Sequence, residues 1–263
     1  MPLEARILGC GSSSGVPRVG LSGPDWGACD PANPRNRRTR CSLLVKTGGL
    51  NILIDTSPDL REQMLLAGDA RVHAVLYTHD HADQTHGIDD LRAIAYAMRR
   101  RMPVYGDGET LAALKARFGY CFETPPGSGY PPILDARKIA DPLAPFTLEG
   151  GVEVVPFAQT HGNIRSLGFR IGPVAYSSDV SALDEAAFDA LNGVECWIVD
   201  ALRDAPHPTH SHVAQSLEWI ARVKPRQAIL TNLHIDLDYD ELSARLPDGV
   251  VAGHDGLIFT SAS

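Results

Sequence analysis

The run Val72–Thr78 is short, apolar and β-branched, and it stops abruptly at a polar cluster, His79-Asp80-His81-Ala82-Asp83. A buried strand of this kind delivers its last side chains to the rim of a sheet, where a turn gathers them around one point. The pattern returns along the chain. Val154–Ala158 runs on to His161, Val174–Ser177 to Asp179, and Ile229–Thr231 to Asn232 and His234. One such ending is what any strand needs, but several on one edge predict a site assembled by the fold. Further strands are predicted at Arg6–Cys10, Ser42–Lys46, Asn51–Asp55, Val152–Ala158, Cys196–Asp200, Ala228–Thr231 and Leu257–Thr260. Helical spacing marks Leu60–Ala67, Ile88–Arg100, Glu109–Phe118, Leu183–Leu191, His212–Val223 and Tyr239–Leu246. Clustered strands interrupted by helices predict an α/β protein with two sheets inside and helices outside.

The chain has 263 residues, 44% of them apolar, which is enough for a large core. Neither a repeat nor a linker divides it, so residues 1–263 are expected to form a single domain. Gly20–Arg40 and Glu123–Pro132 are rich in turn formers and lack periodicity, so both are predicted to be loops. The formal net charge of -8 opposes a general role in binding nucleic acid, and no DNA partner is expected. The five cysteines are scattered and none forms a C-x-x-C pair, which argues against a stapled or zinc-ribbon scaffold. The N-terminus does not read as a signal peptide, and no run of about 18 apolar residues suggests a membrane span. A cytoplasmic setting follows as the default, and a homodimer is an assembly that the sequence leaves open.

Two imidazoles and a carboxylate within five residues, His79, His81 and Asp83, offer three ligands at the short distances a transition metal needs. His161 and Asp179 add to them from other strand ends. A carboxylate such as Asp179 has two oxygens and is able to bridge two cations. A donor set of His and Asp suits one or two divalent ions, Zn²⁺ or Mn²⁺, without choosing between them. A divalent ion lowers the pKa of bound water from 15.7 to about 7, and two ions about 3.5–4 Å apart hold the attacking and leaving oxygens of a phosphoryl displacement.

The segment T-H-D-H-A-D resembles the T-H-x-H-x-D-H motif of the metallo-β-lactamase superfamily, whose fold is a four-layer αββα sandwich. The opening L-G-C-G-S-S-S-G-V-P looks like the first-strand glycine turn of its phosphodiesterase and tRNA 3′-processing branch. The chain is most similar to the cyclic phosphodiesterase family of the carbon–phosphorus lyase pathway. That likeness is carried by Gly15–Pro17, Arg37–Ser42, the metal motif, Ser178–Asp179 and His210. The resemblance implies that His79, His81, His161 and Asp179 hold one metal, that Asp83 and Asp179 contribute to a second, and that His210 sits at the substrate. There it protonates the leaving oxygen or steadies the phosphoryl charge. Two departures affect the second site: Gln84 and Asn232 stand where the family has histidines. Either the site is rebuilt with His234, with His86 nearby, or the second metal is weak or absent; the rebuilt site is the favoured expectation. The family's structural zinc in the first long loop is not expected, because only Cys29 and Cys41 remain and Ile235 replaces a histidine ligand.

Gly9–Gly15 is neither a dinucleotide fingerprint nor a phosphate loop, and is expected to turn the backbone near the metal pocket. Arg35, Arg37, Arg38 and Arg40 form the dense basic run. Arg38 is carried as a substrate-binding candidate, with a solvated loop as the plainer alternative. Ser177 and Ser178 lie outside any nucleophile elbow. The resulting expectation is a metal-dependent hydrolase of a small or cyclic, nucleotide-like phosphodiester, with His210 and Asp83 as catalytic groups. The alternatives are an endoribonuclease of the tRNA-processing kind and a nucleotide-binding protein without turnover.

Overall fold

The structure is a computed structural model, and it describes residues 2–140 and 143–261. Two seven-stranded sheets lie at its centre. The first orders its strands Ile258–Thr260, Glu4–Gly9, Ser42–Thr47, Leu50–Ile54, Ala74–Leu76, Met102–Gly106 and Leu134–Lys138. The second runs Val250–Ala252, Gln227–Thr231, Cys196–Asp200, Val174–Ser177, Ile164–Ile171, Glu153–His161 and Phe146–Thr147.

Strand periodicity assigns each side chain to a layer, because successive residues point to opposite faces. Leu43, Val45, Ile52, Ile54, Ala74 and Leu76 meet Val174, Tyr176, Cys196, Ile198 and Ile229 in one core between the sheets. Their neighbours Leu44, Leu53, Val75 and Tyr77 face the other way. They pack with Leu60, Met64, Leu91, Ile94, Leu111 and Leu114 of the helices Leu60–Ala67, Leu91–Met98 and Gly108–Phe122. On the opposite side Ala175, Trp197, Val199, Ala228 and Leu230 pack against Ala187, Leu191, Val213, Ile220 and Leu242. The layers are therefore helix, sheet, sheet, helix, the expected αββα sandwich.

Strand direction places the site. Val174–Ser177, Cys196–Asp200 and Gln227–Thr231 are parallel, and Glu153–His161 shares their direction through two antiparallel pairings. Their C-terminal ends therefore reach one edge of the sheet. In the other sheet Ala74–Leu76 runs parallel to both neighbours. Its continuation touches the second sheet at that edge, where Leu167 N donates to Thr78 O at 2.9 Å. The chain turns at these ends with positive φ at Asp55 (62°), Asp179 (54°) and Asn232 (60°). Asp and Asn tolerate this left-handed conformation better than other side-chain-bearing residues.

Several elements differ from expectation. Gly20–Arg40 is not featureless: it takes part in a small hairpin, Arg18–Gly20 with Gly23–Asp25, and holds a 3-10 turn at Pro34–Asn36. Ile88–Arg100 divides into a 3-10 turn at Ile88–Asp90 and a helix at Leu91–Met98. The predicted helix Glu109–Phe118 extends to Phe122 across a non-helical Phe118.

Gly168 lies opposite Phe157 in the antiparallel register. A Cβ at this position would stand 2.2 Å from the Phe157 ring and 2.7 Å from Gln159 Oε1. Gly168→Ala is expected to destabilise the fold by about 1–3 kcal/mol through overpacking, with partial recovery in the Gly168→Ala/Phe157→Leu double variant. Urea unfolding of the two variants checks this.

Candidate metal centre

Three imidazoles face one another at the shared edge of the sheets. The ring centroids of His79 and His81 lie 4.5 Å apart, and each lies 5.1 Å from that of His161. His79, His81 and His161 form one group able to hold a metal ion, and His161, Asp179 and His210 form another, with ligand atoms inside each within 4.8 Å of one another.

Hydrogen bonds fix which nitrogen each ring presents. Asp55 is buried and accepts from Thr78 N and Thr78 Oγ1, both at 2.8 Å. Because that hydroxyl proton is committed to Asp55, Thr78 Oγ1 is left to accept from His79 Nδ1 at 3.0 Å. His79 Nε2 is then the lone-pair nitrogen, and it is buried without a protein partner. His161 Nδ1 donates to the carbonyl of Thr209 at 2.6 Å, which likewise leaves Nε2 bare. Burial pushes the His79 pKa down to about 4, against the pull of Asp179, and also lowers that of His161. Both rings are therefore neutral donors, the form a cation requires. An orphaned, buried lone pair among three imidazoles fits a divalent ion held by His79, His81, His161 and Asp179.

Asp179 is buried beside this group. Burial pushes its pKa up, but the surrounding imidazoles, with His210 the one that is protonated at neutral pH, and a 2.6 Å hydrogen bond from Ser178 Oγ hold it below the usual carboxylate range. Asp83 behaves differently: burial, then the charge of Asp179, push it up to about 6. His210 Nδ1 lies 2.9 Å from Asp200 Oδ2 and 3.8 Å from Asp179 Oδ1. Burial lowers the His210 pKa, but the hydrogen bond and charge of Asp200, with Asp179 and Asp83, outweigh it and raise the value to about 9. His210 is thus an imidazolium at neutral pH with Nδ1 committed to Asp200. Ser13, Asn163, Ile164 and Thr209 complete a cleft of about 310 Å³ with His81, Asp83, His161, Asp179 and His210.

The structure brings together His79, His81, Asp83, His161, Asp179 and His210, but not His234, His86 or Arg38. His234 Nδ1 pairs with Asp236 Oδ2 at 2.9 Å, and His234 belongs to neither ligand group among the described residues. The second site rebuilt with His234 is therefore corrected. The His86 ring packs edge-on against Phe118 at 5.4 Å. Arg38 is 1% exposed and directs its guanidinium to Asn36 Oδ1, His234 O and Cys29 Sγ. It braces the first long loop and does not line the cleft, so its substrate-binding assignment is corrected too. The rest of the basic run is also engaged: Arg35 lies over Tyr239, Arg37 over Trp26, and Arg40 pairs with Asp59. Sequence reasoning missed Asp55, Thr78 and Asp200 as supporting groups. Cys196–Asp200 is itself an apolar run ending in a carboxylate, so the signal for Asp200 was present.

Residues 50–235 match the Beta-lactamase superfamily domain. The chain belongs to the β-lactamase superfamily. A solved structure described as a new diphosphatase from the PhnP family is 33% identical, with a TM-score of 0.89 over 99% of this chain and 98% of its own. Zn²⁺-bound PqqB from Methylobacterium extorquens shares the fold at 18% identity, with a TM-score of 0.75 over 97% of this chain and 99% of that one. Short-form human tRNase Z does so at 16% identity, with a TM-score of 0.66 over 97% and 98%. A Porphyromonas gingivalis (strain ATCC BAA-308 / W83) protein named octanoyltransferase is 34% identical over 259 residues, or 97% of this chain and 51% of its own length. The chain thus spans about half the length of that curated relative. Family and site together define a metal-dependent hydrolase. No helix among the described residues is long and apolar enough to cross a membrane.

The candidate ligand His79 is oriented through Thr78 and Asp55. Thr78→Val keeps the β-branched shape and removes the acceptor for Nδ1. Affinity for Zn²⁺ is expected to fall about 10–100-fold, which calorimetric titration of the chelator-stripped variant checks, with circular dichroism confirming the fold.

Proposed function

We propose that this β-lactamase superfamily hydrolase cleaves the phosphodiester of a small or cyclic, nucleotide-like substrate, using Zn²⁺ or Mn²⁺. The observation that carries this reading is the His210 imidazolium, held by Asp200 at the rim of a small cleft beside the metal ligands. A positive donor there suits a phosphoryl group and its departing alkoxide better than a neutral leaving group.

A divalent ion held by His79, His81, His161 and Asp179 supplies Lewis acidity, lowering the pKa of a water and offsetting phosphoryl charge. The chain's own groups complete the chemistry. Asp83, raised to about 6, takes the proton of the attacking water. His210 donates its Nε2 proton to the leaving oxygen while Asp200 holds Nδ1 and the ring plane. Proton transfer of this kind contributes about 10²–10⁴-fold, the loss in kcat expected for His210→Ala.

The solved relative described as a diphosphatase supports a second reading, in which the bond cleaved joins two phosphoryl groups. The same acid and base serve it, with a phosphate oxygen as leaving group. Endonucleolytic processing of RNA is disfavoured by the net charge of -8 and by the small cleft. Turnover is to be compared on bis(p-nitrophenyl) phosphate, cyclic nucleotides, nucleoside diphosphate esters and precursor tRNA. Small diesters are expected to be cleaved. Cleavage of precursor tRNA alone, or nucleotide binding without metal-dependent turnover, overturns the proposal.

The pH profile tests the acid. The donor is the protonated ring, so activity is present below its pKa, which Asp200 holds above the ordinary histidine range against burial, and is lost as pH rises through that value. A bound cation offsets the charge of Asp179 and leaves Asp200 as the main support of this proton. Asp200→Asn is therefore expected to move the alkaline limb down toward the unperturbed histidine value of about 6.5. An unmoved limb assigns the proton to another group.

A further inference from the structure

We infer that the amide of Gln84 takes the place of a second cation between Asp83 and Asp179, so that this chain works with one divalent ion. Gln84 is 0% exposed and lies in the single helical turn Ala82–Thr85. Its backbone is pinned on both sides: Gln84 N donates to His81 O at 3.1 Å, and Gln84 O accepts from Thr56 N at 2.8 Å. Gln84 Nε2 donates to Asp83 Oδ2 at 3.2 Å and to Asp179 Oδ2 at 3.0 Å. The reversed amide would set a carbonyl oxygen against two carboxylate oxygens, so electrostatics fixes the orientation. A cation shared by these two carboxylates would stand about 2.0–2.2 Å from each oxygen, in the notch that the amide nitrogen fills.

The other groups a second site would draw on are engaged elsewhere, among them His210, whose Nδ1 is held by Asp200. His234 is paired with Asp236 and His86 is packed on Phe118. The Asn232 amide lies 3.1 Å from His210 Nδ1, the nitrogen already committed to Asp200. Asp83 and Asp179 alone fall short of the three protein ligands of a catalytic zinc. Two buried carboxylates therefore share two N–H donors of one neutral group. The first site, with three imidazoles and Asp179, needs nothing from Gln84. The inference rests on the metal centre and not on the substrate proposed above, so metal content and substrate turnover fail separately.

The test counts ions. The chelator-stripped full chain is titrated calorimetrically with Zn²⁺, and the Mn²⁺-loaded form is examined by electron paramagnetic resonance. The wild type is expected to bind one ion per chain and to show an uncoupled Mn²⁺ signal. Gln84→His, which restores an imidazole between the carboxylates, is expected to bind two and to show spin coupling. Asp83→Asn, which removes the proposed base but no ligand of the first site, is expected to keep one Zn²⁺ with affinity within about tenfold of wild type, less than loss of a group orienting a ligand costs. Two ions in the wild type, or one in a folded Gln84→His, overturns the inference. A loss of Zn²⁺ binding in folded Asp83→Asn does the same, because Asp83 would then hold the first ion.

Discussion

Asp179 is a charge that the fold has taken out of water, and the other polar groups of the centre are arranged around that cost. An unpaired ion in such a place costs several kcal/mol even after relaxation. Here Ser178 Oγ and Gln84 Nε2 both donate to Oδ2, while His161 Nε2 and His210 Nδ1 stand 3.9 and 3.8 Å from Oδ1. The sheet makes the arrangement durable. Asp179 follows a strand whose four residues are all buried, and its left-handed turn aims the carboxylate along the edge. A cation bound beside it meets a carboxylate already ionised and already desolvated.

The two histidine populations in the cleft show how one edge sustains opposite protonation states. His79 and His161 lose their proton because burial dominates, even against the Thr209 carbonyl that pulls the His161 value up; their Nδ1 contacts with a hydroxyl and a carbonyl decide only which nitrogen is left bare. His210 keeps its proton because its Nδ1 meets a carboxylate that is itself wholly buried. Ring burial is similar in kind, and the carboxylate on the inner nitrogen makes the difference. This division sets neutral imidazoles suited to a cation within a few ångströms of a protonated one suited to an anionic oxygen.

The layers were legible because a strand covered on both faces reads as a short unbroken apolar run. Val174–Ser177 and Cys196–Asp200 have the boundaries the sequence predicts. Met102–Gly106 escaped because it is short and carries Pro103, and Ile164–Ile171 because Arg165, Gly168 and Arg170 interrupt its apolar pattern. The candidate ligand cluster of His79, His81, His161 and Asp179 was legible because each of its members follows an apolar run. Arg38 and His234 misled for a related reason: sequence proximity to a site says nothing of direction. Arg38 turns inward to brace a loop, and His234, two residues beyond the left-handed Asn232, spends its Nδ1 on Asp236. The part played by Gln84 depends on distances to two carboxylates, one of them 95 residues away, and no local pattern encodes that.

Thr209 and His210 are adjacent in the chain but serve different masters: the carbonyl of one steadies His161, and the ring of the other rests on Asp200. A single peptide unit therefore sets the span between the cation's ligand and the proton donor. The cleft behaves as a caliper of fixed width. Under the proposed reaction, that width would discriminate substrates by how far the leaving oxygen stands from the phosphorus-bound oxygens, and a change in that short loop would detune both jaws at once.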